Sequence, residues 1–79
     1  MLWLREVNIM QPYQIVSDIT ELRRSRGISQ HELANITGIK QPVIARMEKG
    51  TTNPRLDTVI KIVEALDYEL KIVPKKNIK

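Results

Sequence analysis

A chain of 79 residues sets a single small domain. It contains no cysteine, which excludes disulfides and thiolate metal sites and makes a reducing cytoplasm the expected setting. No apolar run approaches the roughly 20 residues of a membrane span. Hydrophobic residues make up 42% and charged residues 28%, a balance that suits a folded chain rather than a disordered one. With no Phe, one Trp and two Tyr, the core must be aliphatic. The formal charge of +4 is unevenly spread. Residues 23–55 hold Arg23, Arg24, Arg26, Lys40, Arg46, Lys49 and Arg55 against Glu32 and Glu48. A clustered excess of this kind is the footprint of a phosphate-backbone binder, although a solvated charged face gives the same count.

Residues 1–11 form an N-terminal extension. MLWLREVNIM is too short and too charged for a secretory signal. Trp3 and Leu4 read either as a hydrophobic anchor or as a remnant of an upstream reading frame, with Met10 an alternative start.

Pro12 suits the first position of a helix, where its missing N–H costs nothing. Ile15, Ile19 and Leu22 repeat at helical spacing, so a first helix is expected over about 12–26, ended by Gly27. Ser29 and Glu32 stand as a capping box ahead of Leu33, Ala34 and Ile36, and Gly38 stops that second helix. Pro42 opens a third, with Val43, Ile44 and Met47 as its apolar positions and Gly50 at its end. Thr51-Thr52-Asn53-Pro54 is a loop by composition. Leu56, Val59, Ile60, Val63 and Leu66 form a helical stripe, so a fourth helix is expected over about 56–66. Asp67 breaks it. Tyr68 to Val73 alternates in polarity, with Tyr68, Leu70 and Ile72 on one face, and reads as a strand over 67–74. Residues 75–79 are a basic tail expected to fray.

Residues 12–66 thus form the functional domain. At its centre Ala34, Gly38 and Ile44 are spaced i, i+4, i+10. A small residue lets the third helix cross close over the second, the glycine makes a tight turn, and the isoleucine points back to lock the pair. That is the helix-turn-helix pattern.

Gly27-Ile28-Ser29-Gln30-His31-Glu32-Leu33-Ala34, Thr37-Gly38-Ile39, the run from Gln41 to Gly50, Pro54, and Leu56-Asp57-Thr58-Val59 together resemble the XRE family of phage-repressor-like helix-turn-helix proteins. The resemblance covers about residues 15–66. It implies an all-α, lambda-repressor-like bundle of four to five helices with a short C-terminal strand. It also implies a sequence-specific regulator that represses transcription. The third helix would lie in the major groove and read base edges. Its DNA-binding residues would be Lys40, Gln41, Pro42, Val43 and Arg46. Gln41 can bond an adenine and Arg46 a guanine, at about 1–3 kcal/mol of discrimination each. Val43 can meet a thymine methyl, whereas Pro42 offers no hydrogen bond to an edge. Gln30 matches a phosphate-contacting glutamine at a helix N-terminus. Thr51, Thr52 and Asn53 match a loop that touches the backbone. Arg23 and Glu48 match an ion pair that ties the first helix to the third, a structural rather than catalytic role.

A two-fold DNA site needs a two-fold protein, and a lone strand has unmet hydrogen bonds. Tyr68, Leu70 and Ile72 are therefore the expected homodimer interface, with packing back on the chain's own helices as the alternative. The ending up to Val73-Pro74 resembles antitoxins of the HipB and HigA type, which bind operator DNA as dimers and hold a toxin. The resulting expectation is an autoregulatory antitoxin repressor on a palindromic operator, with a cognate toxin as second partner. A stand-alone repressor and a mainly toxin-neutralising protein are the alternatives.

Nothing in the residues points to an enzyme. His31 is the single histidine, and there is no Gly-rich phosphate loop, nucleophile set or metal-ligand spacing. No cofactor, metal or membrane partner is expected.

Overall fold

A computed structural model describes residues 12–75. Four helices follow in order: α1 (Pro12–Ser25), α2 (Gln30–Thr37), α3 (Gln41–Lys49) and α4 (Leu56–Ala65). The ends expected from sequence hold to within a residue, with α3 starting at Gln41 and Pro42 in its first turn. The readings of Trp3, Leu4 and Met10 lie outside the described residues.

Local chemistry accounts for the ends. Ser29 Oγ accepts the Glu32 N–H at 3.0 Å, and Glu32 Oε1 accepts the Ser29 N–H at 2.8 Å, so the capping box is complete. Gly38, at φ 78°, ends α2 and donates its N–H to the Ala34 carbonyl at 2.8 Å. The next turn is braced by Thr37. Its hydroxyl donates to the Leu33 carbonyl and accepts the Ile39 N–H.

The core is aliphatic, as the composition requires. Val16 and Ile19 of α1, Leu33 of α2, Ile44 and Met47 of α3, Val59, Ile62 and Val63 of α4, and Leu66 at its C-cap are all buried. Ile44 and Leu33 are fully enclosed, so the locking role read into Ile44 is realised. Two parts of the expected pattern shift. On α4 the buried stripe is Val59, Ile62, Val63 and Leu66, while Leu56 is 67% exposed and Ile60 is exposed as well. This helix is apolar around more than half its girth, so two overlapping stripes fit the sequence and the fold buries the one facing the other helices. On α2, Ile36 is 59% exposed, because a helix of eight residues offers its neighbours little beyond Leu33 and part of Ala34.

Among the described residues no strand is formed. After Leu66 the chain turns at Asp67, and Tyr68 to Lys75 run exposed. Ile72 is completely exposed, Val73 largely so and Leu70 a little under half. The alternative that this segment packs back on its own helices is therefore not what the structure shows. In a single chain Leu70, Ile72 and Val73 are left without apolar cover.

Candidate nucleic-acid interface

The residues singled out for DNA contact stand at the start of α2, over the first turns of α3 and in the loop after it. Gln30 is the first residue of α2 and Gln41 the first of α3, with Lys40 as the N-cap of α3 in extended conformation. Lys40, Pro42 and Arg46 are exposed, and Val43 is half-buried. Thr51, Thr52 and Asn53 are exposed in the α3–α4 loop, where Thr51 Oγ1 reaches the Arg46 carbonyl at 3.4 Å.

Behind them stands a chain of hydrogen bonds. Arg23, on α1, donates from Nε to Glu48 Oε2 at 2.7 Å and from Nη2 to Glu48 Oε1 at 2.9 Å, a two-pronged ion pair. Its Nη1 donates to the Ile28 carbonyl at 2.7 Å, which anchors the loop leading into α2. Both side chains are buried, 9% and 5% exposed. Gln30 then donates from Nε2 to Glu48 Oε1 at 2.8 Å, and Gln41 donates from Nε2 to Gln30 Oε1 at 2.8 Å. Three helices are thus tied through Arg23, Glu48, Gln30 and Gln41.

Burial alone would push the Glu48 carboxyl up. The hydrogen bonds from Arg23 and Gln30, together with the charges of Arg23 and Arg24, outweigh it and hold Glu48 below its ordinary value of 4.5. Glu48 is thus an ionised structural acceptor.

The network leaves hydrogen-bonding capacity on both glutamines. Each amide nitrogen carries two hydrogens, and one of each is used internally. Gln41 keeps a donor and its Oε1 acceptor, the pair that matches N7 and N6 of adenine. Gln30 keeps a donor beside the free N–H groups of the α2 N-terminus. The sequence pointed to Gln30 and Gln41 separately. It gave no sign that they touch, because the residues lie 11 apart in the chain and meet through the turn at Gly38. His31 is exposed, and no group of metal-ligating residues occurs among the described residues. No described helix is long and apolar enough to cross a membrane.

The family model for the helix-turn-helix matches residues 19–73. The chain belongs to the helix-turn-helix family. It is 42% identical over 71 residues to an uncharacterized HTH-type transcriptional regulator of Haemophilus influenzae, which spans 90% of this chain and 70% of that protein. It is 32% identical over 81 residues to the antitoxin HipB of Escherichia coli, across 98% of this chain and 86% of HipB. Among solved structures, a chain of the HipA–HipB–O2–O3 complex superimposes with a TM-score of 0.77 at 32% identity, covering 87% of this chain and 97% of that one.

Proposed function

We propose that this protein is a transcriptional repressor of the antitoxin type, which binds a palindromic operator as a homodimer and regulates its own gene in the cytoplasm. The single observation that carries this reading is the preset pair of amide ends, Gln30 and Gln41, at the N-termini of α2 and α3. They are held in register by the buried Arg23–Glu48 pair. A helix entering the major groove contacts bases with its N-terminal residues, which is where these polar groups stand. Gln41, Val43 and Arg46 face base edges, with Lys40 and Pro42 at the groove wall. Gln30, Thr51, Thr52 and Asn53 hold phosphates. The likeness to HipB and to a HipA–HipB complex supports both the DNA reading and a toxin as second protein partner. None of these roles needs a catalytic group or a cofactor.

The domain division carries the dimer. Residues 12–66 read DNA, and residues 67–74 pair with the same segment of a second copy, covering the exposed Tyr68, Leu70 and Ile72. Deleting residues 68–79 is expected to give a monomer in sedimentation; a truncated chain that stays dimeric contradicts the assignment. For readout, Arg46→Ala is expected to weaken specific binding by about 1–3 kcal/mol and relax preference at one base pair. Equal loss on specific and random DNA would remove Arg46 from base reading. The reading as a stand-alone repressor draws on the Haemophilus relative, which is described only as a regulator. Affinity purification from the native host separates the two, since an antitoxin brings down a small protein together with its own promoter.

A further inference from the structure

Helices α1 and α4 end in the same hydrogen-bonded turn, with one difference. At the end of α1, Gly27 N–H donates to the Arg24 carbonyl at 2.9 Å and Ile28 N–H to the Arg23 carbonyl at 3.2 Å. At the end of α4, Asp67 N–H donates to the Glu64 carbonyl at 3.0 Å and Tyr68 N–H to the Val63 carbonyl at 3.0 Å. Both are Schellman motifs, which place one residue in the left-handed region. Gly27 takes it at φ 70° without a Cβ penalty; Asp67 takes it at φ 67° with one. It is the single non-glycine residue at positive φ among the described residues.

The backbone alone favours glycine at this turn, so the carboxylate has its own partner to account for it. Asp67 Oδ2 meets Arg26 Nη1 at 3.3 Å. The same guanidinium lies 5.6 Å from the centroid of the Tyr68 ring. Arg26 sits in the turn that closes α1, its own N–H bonded to the Leu22 carbonyl. One side chain therefore grips both the residue that turns the chain out of α4 and the first residue of the exposed C-terminal arm.

We propose that Arg26 is a positioning residue for the arm. It sets the direction in which residues 68–73 leave the domain and so prepares them to dock on a second copy of this chain. The inference rests on the reading of the arm as the homodimer contact. An arm already aimed loses less freedom when it pairs than one that swings, and the gain appears as a tighter dimer. Surface ion pairs and exposed cation–π contacts are each weak, but here both converge on one guanidinium.

Sedimentation equilibrium on the full chain tests this, with thermal melting by circular dichroism as the control on folding. Arg26→Ala is expected to weaken the dimer by about three- to tenfold while the helices melt nearly as before. Arg26→Lys keeps the charge but lacks the flat guanidinium that stacks on Tyr68, so it should recover part of the loss. Asp67→Gly is the sharper variant. It eases the backbone and removes the carboxylate, so the domain should melt no lower while the dimer still weakens. Combined with Arg26→Ala it should add little. Unchanged dimerisation in both single variants, with a monomer on deleting residues 68–79, would overturn the positioning role and leave the dimer reading standing. A dimer that survives the deletion would overturn both.

Discussion

The α2-turn-α3 unit and the chain beyond Asp67 are built from similar residues and held in opposite ways. In the first, Leu33, Ile44 and Met47 are enclosed, a complete capping box sets the start of α2, and a buried ion pair reaches two glutamine amides at the surface. In the second, Tyr68, Leu70, Ile72 and Val73 stand exposed, and one arginine ties the root of the segment to the domain. The difference separates two kinds of interface. A surface that must read an edge at about 3 Å needs its donors fixed before contact. A segment that meets its own copy can leave its apolar groups open until the partner covers them, and in a chain this small that cover adds to a modest core.

The largest effect is expected at the buried pair. Glu48→Ala strands the Arg23 guanidinium without its partner, and a loss of about 3–5 kcal/mol is expected in denaturant unfolding. Since small domains hold only about 5–15 kcal/mol in all, much of the chain should unfold at moderate temperature. A loss below about 1 kcal/mol would mean that the pair is solvated and does not organise the reading surface. The same group sets an acid limit. Its folded-state value lies below 4.5, so its contribution is complete above that pH and drains away as pH falls below it. Glu48→Gln should flatten the stability profile in that window, and an unchanged acid limb would contradict the assignment.

Gln30→Ala sharpens the comparison on the DNA side. If Gln30 only touched phosphate, binding to all sequences would weaken alike. Because it also holds the Gln41 amide, the base preference proposed for Gln41 should relax as well, within the roughly 1–3 kcal/mol that such a contact supplies. A uniform loss would leave Gln30 a phosphate contact alone.

Gly38→Ala tests the turn between the two glutamines. Nothing lies within 4 Å of the added methyl, so the cost is that of the left-handed backbone, about 1–2 kcal/mol. A smaller effect works in the other direction. Thr20 Oγ1 is buried on α1 with no hydrogen-bond partner among the described residues. Thr20→Val removes that orphan hydroxyl at nearly constant shape, and a gain of about 1 kcal/mol is expected, a rise of about 4–8 °C in Tm. A fall in Tm would show that the hydroxyl is bonded.

Much of the reading unit was legible because its signals are local. Ser29 with Glu32, Gly38, and the i, i+4, i+10 spacing of Ala34, Gly38 and Ile44 each specify a backbone feature within a few residues. The α4 face was harder to read. Ile60 and Ile62 are equally apolar, and periodicity cannot choose between overlapping stripes when the choice is made by packing against α2. The hydrogen bond between Gln41 and Gln30 and the grip of Arg26 on Asp67 were not legible, since they join residues 11 and 41 apart whose side chains carry no pairing signal in sequence. Asp67 was legible as a break in α4, but not as a left-handed residue with a partner.

Selection of bound sites from random duplex DNA by the 79-residue chain tests the operator reading most directly. A two-fold symmetric site should be recovered. Its half-sites should lie about 10 base pairs apart, or a multiple of that, as a dimer presenting two α3 helices requires. Recovery of no enriched sequence, or of a single site without symmetry, would contradict that reading.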